Sequence, residues 1–122
     1  MRSRAAVALG VDALVVLVFA GIGRASHHES NPVVDSLQTG WPFLAGAAVG
    51  WLVVRLASGR LPLSVRTGWP VWLCAVAVGM VLRRLTGDGT AFAFIVVATI
   101  FLGIFLLGWR FAAQLWQRRA QV

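Results

Sequence analysis

Charge is scarce in this chain of 122 residues: 12% are charged, and only Asp12, Glu29, Asp35 and Asp88 are acidic. A soluble domain carries about a quarter charged residues, because its surface has to face water. With 59% hydrophobic residues and a mean hydropathy of +0.82, this chain cannot cover itself in polar groups. Lysine is missing, so all eleven basic residues are arginine, and the formal charge is +7. A nucleic-acid binder of that charge would gather its arginines on one soluble face. Here they stand singly or in small groups between long apolar runs, which argues against nucleic acid as a partner. The single cysteine, Cys74, excludes an intrachain disulfide and, lying inside an apolar run, reads as a small core residue. No glycine-rich phosphate loop, collagen period or low-complexity tract is present. What remains is an integral membrane protein.

Four apolar segments stand out, at about 5–23, 41–54, 69–82 and 91–109, followed by a tail at 110–122. A helix crosses a bilayer core with about 20 residues. The outer two segments meet that length, whereas the middle two need their Trp and Arg flanks in the interface or some local thinning. Continuous Leu and β-branched runs without strict alternation argue against a barrel. The reading is an all-α membrane protein, a single domain built as a four-transmembrane-helix bundle. Met-Arg-Ser-Arg before an apolar run resembles a secretory signal. The run is too long for a signal core, holds Asp12 and ends at Arg24 in a poor cleavage context, so it reads as a retained first span.

The span ends carry arginine: Arg24, Arg55, Arg83 with Arg84, and Arg110. Cations suit the negative end of a helix, and their long stems reach the headgroups. Thr39-Gly40-Trp41-Pro42 and Thr67-Gly68-Trp69-Pro70 read as span starts, each with a capping hydroxyl, an interface aromatic and a first-turn proline. Asp88 and Thr90 read as caps of the fourth span. The identical tetrapeptides hint at an inverted repeat of the transporter kind, but two helices meeting the same interface with the same residues is the simpler account. An N-in, C-in orientation places Arg2, Arg4, Arg55, Arg60, Arg66, Arg110, Arg118 and Arg119 in the cytoplasm and leaves Arg24, Arg83 and Arg84 outside. Eight against three is a strong positive-inside bias, and the expected location is the bacterial cytoplasmic membrane.

Asp12 is the most informative residue. It lies roughly 10 Å inside the first span, where an aspartate costs up to about 2.5–3.5 kcal/mol on insertion. The Leu, Val, Ile and Phe residues of that span return about 0.3–0.6 kcal/mol each, so the helix still inserts. Asp12 is therefore expected to face the bundle interior and to have a partner, with Arg55 and Arg110 as candidates. Two roles compete: an ion pair that orients helices, and a carboxylate that binds protons or cations.

A second candidate cluster lies at the extracytoplasmic mouth: Arg24, Ser26, His27, Arg83, Arg84, Asp88 and Thr90. Such a set suits an anionic headgroup or a small acidic solute; the competing account is capping and local ion pairing. His27 and His28 are adjacent, too close in sequence to line up as helical metal ligands, so no metal site is expected. No Ser-His-acid triad is evident, and no cofactor is implied. Trp41, Trp69, Trp109 and Trp116 sit at span ends or in the tail and read as an aromatic belt, while Trp51 and Trp72 lie deeper and read as packed between helices. Ala6 with Gly10 and Gly46 with Gly50 permit close helix contacts, within the chain or in a homo-oligomer. Past Trp109 the tail reads as an interfacial helical extension, with Arg110, Gln114, Gln117 and Arg118 on one side and Phe111, Leu115 and Trp116 toward another.

Several of these pieces together resemble a family of small four-span bacterial membrane proteins known only as a domain of unknown function. They are Asp12; Gly23-Arg24-Ala25-Ser26-His27; Trp41-Pro42-Phe43-Leu44-Ala45-Gly46; Gly50-Trp51; Gly79-Met80-Val81-Leu82-Arg83; Gly89-Thr90-Ala91-Phe92; and Gly108-Trp109-Arg110. The resemblance covers most of the chain and implies the four-span topology without an activity. A weaker similarity, an acid in span one and a Trp-Pro early in span two, is to the small multidrug resistance transporters. Those use glutamate where this chain has Asp12, and their weak charge bias contrasts with the strong one here. The expected role is a non-enzymatic accessory or scaffolding component of the membrane, its partners being the lipid bilayer and either a membrane protein or a second copy. The alternative is a small-solute or cation transporter working through Asp12.

Overall fold

The computed structural model describes residues 2–25, 32–87 and 90–121, which form four α-helices and, among these residues, no strand. They are α1 (Arg2–Ala25), α2 (Pro32–Ser58), α3 (Val65–Leu85) and α4 (Phe92–Gln121). Each holds a stretch long and apolar enough to cross a bilayer: Arg4–Ile22, Leu37–Ser58, Val65–Leu85 and Phe92–Arg119. A helix satisfies its backbone hydrogen bonds internally, which is what a lipid solvent demands. The chain is an all-α, multi-pass membrane protein.

The helix boundaries correct the expected ones. Neither Thr-Gly-Trp-Pro sequence starts a helix. α2 begins at Pro32, so Thr39 to Pro42 lie inside it and Pro42 is a buried interior proline. α3 is capped by Ser64, whose hydroxyl accepts the Thr67 N–H at 3.2 Å while Thr67 Oγ1 accepts the Ser64 N–H at 3.2 Å. This reciprocal box satisfies two donors at once and makes Thr67 the third helical residue instead of the cap. Hydropathy marks where the apolar run begins, whereas helical hydrogen bonding runs on through the polar interface. The added turns bring the two middle helices to membrane-spanning length without local thinning. After α2, Gly59 takes a left-handed φ of +72° and donates to Arg55 O at 2.9 Å; after α3, Gly87 does the same at φ +86°, donating to Arg84 O. Both follow the usual way of ending a helix without a Cβ clash. The expected tail extension is helical, continuing α4 unbroken to Gln121.

Each helix runs antiparallel to the next, and α4 closes back on α1. Across the diagonals no backbones approach closely among the described residues, although the Phe43 ring of α2 meets the Phe94 ring of α4 edge-on at 6.1 Å. The α2–α3 seam is the densest and the α1–α4 seam the sparsest. The density comes from glycine: a Cβ at Gly46 would stand 2.5 Å from Cys74 O, and one at Gly50 would stand 2.6 Å from Val71 Cα. Backbone thus lies on backbone, the close approach that drives helix association in lipid. Gly79 opens a slot for the Phe43 ring. Phe43 in turn meets Phe19 edge-on at 5.6 Å, and Phe19 packs on Phe94 and Phe101 at 5.8 and 5.3 Å. The other small pair, Ala6 and Gly10, is exposed, with nothing within 4 Å of a Cβ on Gly10.

The two glycine classes predict opposite outcomes in thermal unfolding of the detergent-solubilised protein. Gly50→Ala should lose about 1–3 kcal/mol, because α2 must back away from α3. Gly10→Ala should be neutral or stabilising by up to about 1 kcal/mol.

Candidate functional site

Two four-residue rhythms build the site. On α1, Ala8, Asp12, Val16 and Ala20 are all buried, so the helix turns the carboxylate inward with its apolar stripe. On α4, Ala98, Leu102, Leu106 and Arg110 are each fully buried at the same spacing. The arginine is the last member of the stripe that faces the core. Because α1 and α4 are antiparallel, the two charges meet.

They meet as a fork. Arg110 Nη2 lies 2.7 Å from Asp12 Oδ2 and Nη1 lies 2.8 Å from Oδ1. Each carboxylate oxygen takes a second donor: Trp51 Nε1 reaches Oδ2 at 2.8 Å from α2, and Trp109 Nε1 reaches Oδ1 at 2.8 Å. The guanidinium is held from its other sides. Its Nε donates to Pro62 O at 2.8 Å, in the loop between α2 and α3, and Nη1 also donates to Leu106 O at 2.9 Å. The Trp109 ring lies 4.6 Å from the guanidinium carbon, a cation–π contact that adds to the attraction. Gly68 on α3 supplies the room: a Cβ there would stand 2.5 Å from Arg110 Nε. One turn beyond, Gln114 Oε1 accepts the Val65 N–H at 2.9 Å and satisfies a first-turn donor of α3.

All four helices and the α2–α3 loop therefore converge on one ion pair, Asp12 being 2% exposed and Arg110 0%. A buried pair earns stability only when its remaining hydrogen-bonding groups are also satisfied. A carboxylate has about four acceptor positions, and here protein N–H groups take four bonds to the two oxygens. A proton or cation could bind Asp12 only by displacing Arg110 or an indole.

Of the two arginines named as partners for Asp12, Arg110 is the one in contact. Arg55 is exposed at the end of α2 and its guanidinium bonds Gly59 O. The short Gly59 turn draws Arg55 back along its own helix, away from the core. In the outer cluster, Arg83 is half-buried with its guanidinium 4.5 Å from the centre of the Phe94 ring, Arg84 is exposed, and Thr90 is half-buried ahead of α4. Ser26, His27, Asp88 and the Arg24 side chain lie outside the described residues. Among the described residues, no three His, Cys, Asp or Glu side chains stand together as metal ligands.

Five contributors are not directly legible in the sequence: Trp51 and Trp109 as donors, Pro62 and Leu106 as carbonyl acceptors and Gly68 as a notch. Its place at the end of an apolar run suits Trp109 to the interface belt, yet its indole turns inward to Asp12. Trp41, Trp69 and Trp116 are exposed, as belt residues would be. A usable signal existed in the pieces Gly50-Trp51 and Gly108-Trp109-Arg110. Each places an indole beside a small residue or a charge deep in an apolar helix, where an N–H needs an acceptor.

Residues 9–113 match the family described as "Protein of unknown function (DUF3054)", and the chain belongs to it. The matched stretch contains both members of the ion pair and every group that bonds them. No curated protein and no solved structure matches the chain.

Asp12→Asn leaves the Arg110 charge buried and unpaired, and should cost about 3–5 kcal/mol in the same unfolding assay. Replacing both residues, Asp12→Leu with Arg110→Leu, should cost clearly less than the sum of the two single changes. Additive losses would mean that the pair is not coupled.

Proposed function

We propose that this protein is a non-enzymatic accessory or scaffolding component of the bacterial cytoplasmic membrane, acting through the shape of its bundle on a neighbouring membrane protein or a second copy. The observation that carries this reading is the saturation of Asp12. The one acid within the spans has both oxygens engaged by Arg110, Trp51 and Trp109. A transport carboxylate alternates between protonated and occupied states and needs an acceptor position that opens. Here that would require pulling apart a bidentate pair to which every helix contributes. The reading also draws on Ser64, Thr67 and Gln114, which cap the start of α3, and on Arg55, which anchors the turn at Gly59.

Reconstituted alone in liposomes, the protein is expected to pass neither protons nor small organic cations above the protein-free rate, as followed by an entrapped pH dye and by radiolabelled cation uptake. Saturable uptake that disappears in a folded Asp12→Asn protein would overturn this reading in favour of transport.

Both termini are proposed to lie in the cytoplasm, supported by the eight-to-three distribution of arginines between the two ends. A fluorescent protein fused after Val122 should therefore fold and emit, and alkaline phosphatase at the same site should stay inactive. The reverse pattern would invert the topology.

A further inference from the structure

The ion pair changes the charge balance of the two ends. The end carrying the α2–α3 loop holds Arg2, Arg4, Arg55, Arg60, Arg66, Arg110, Arg118 and Arg119, and its one acid, Asp12, is consumed by Arg110. Seven arginines remain there without an acid. The opposite part of the chain holds Arg24, Arg83 and Arg84 against Glu29, Asp35 and Asp88, which balance. The whole formal charge of +7 thus resides at one end.

Arg4, Arg55, Arg60, Arg66, Arg118 and Arg119 are exposed and form no ion pair among the described residues. They come from all four helices and the loop, so they ring the end of the bundle. α4 fixes their depth. Its 30 residues make a rod of about 45 Å, against a hydrocarbon core of about 30 Å. Its last turns therefore project into the headgroup zone. There Phe111, Leu115 and Trp116 are exposed, Trp116 at 76%, beside Arg118 and Arg119. Apolar side chains flanking uncompensated arginines at headgroup depth match a surface with acyl chains on one side and phosphates on the other.

We infer that this arginine ring is a docking surface for the phosphate headgroups of anionic lipids, and that it gathers such lipids around the protein. Arginine suits the task because its planar fork takes two phosphate oxygens at once and never loses its charge. Each basic residue near an anionic surface strengthens binding by about fivefold. Arg110 is excluded from the ring because its fork is already occupied by Asp12.

The full chain, purified in neutral detergent, is mixed with equal amounts of phosphatidylglycerol and phosphatidylcholine of the same acyl chains, and the retained lipid is counted by native mass spectrometry. Retention of phosphatidylglycerol over phosphatidylcholine by at least about tenfold is expected, and high salt should lower it. The combined variant Arg55→Gln, Arg60→Gln, Arg118→Gln and Arg119→Gln should lower that preference by at least about fivefold, while Arg84→Gln at the other end leaves it intact. All five residues are exposed, and the salt titration of the unaltered chain decides the matter should the combined variant fold poorly. Equal retention of the two lipids would overturn the inference, as would a preference indifferent to salt. Displacement by millimolar inorganic phosphate would also overturn it, by assigning a site for the free ion. Retention of an acidic protein with no lipid preference would assign the ring to a protein partner instead.

Discussion

An aspartate and an arginine inside a bilayer-spanning bundle are tolerable only as a mutually neutralising, fully hydrogen-bonded unit, and the rest of the structure is arranged to supply that condition. Asp12 and Arg110 lie on the sparsest seam, between α1 and α4. α2 contributes the Trp51 indole, the following loop contributes the Pro62 carbonyl, and α3 contributes the space above Gly68. α4 contributes Trp109 and the Leu106 carbonyl along with the arginine itself. Asp12, Trp51, Trp109 and Arg110 fix the rotation of their helices, because any of them pointing elsewhere would leave a polar group unsatisfied in a medium without water.

The remaining seams are held by different means. Lipid tails are as apolar as leucine, so burying leucine between helices gains little, and contact quality decides. α2 and α3 associate through glycine and alanine, backbone against backbone. α1 and α2 meet where Gly40 lies under Leu17 and Ala20, and where the Phe19 and Phe43 rings cross edge-on. α3 and α4 are joined by Trp72, whose indole donates to Thr99 O at 2.9 Å and rests over Gly103. The protein thus combines a closely packed α2–α3 seam with others held by aromatic contacts and a few directed polar bonds.

Much of the bundle was legible in the sequence. Four apolar runs announce four helices, and the insertion cost of Asp12 announces an inward-facing carboxylate with a cationic partner. Arg110 stood among the two candidates because both lie at span ends on the same side as Asp12. What separates them is local geometry: Arg55 sits one turn before a left-handed glycine and bends back on the loop, whereas Arg110 completes a buried four-residue stripe. The Thr-Gly-Trp-Pro sequences misled for a related reason. Their prolines and tryptophans mark the edge of the apolar run, while the helices start earlier, at Pro32 and just after Ser64. The inward turn of Trp109 had no periodic signature, since an indole next to Arg110 on the helix is drawn in by the acceptor it finds on α1.

By itself the sequence determined the solvent, the number of spans, the asymmetry of charge between the two ends, and the presence of one intramembrane acid requiring a partner. These follow from composition and from runs along the chain, where neighbours in sequence share an environment. Only the tertiary structure decided which arginine answers Asp12, that two indoles complete the carboxylate's hydrogen bonds, and that a proline carbonyl and a glycine notch hold the guanidinium. The partners stand 98 positions apart along the chain. Their meeting depends on the axial register and rotation of α1 against α4, to which α2, the α2–α3 loop and α3 contribute through Trp51, Pro62 and Gly68.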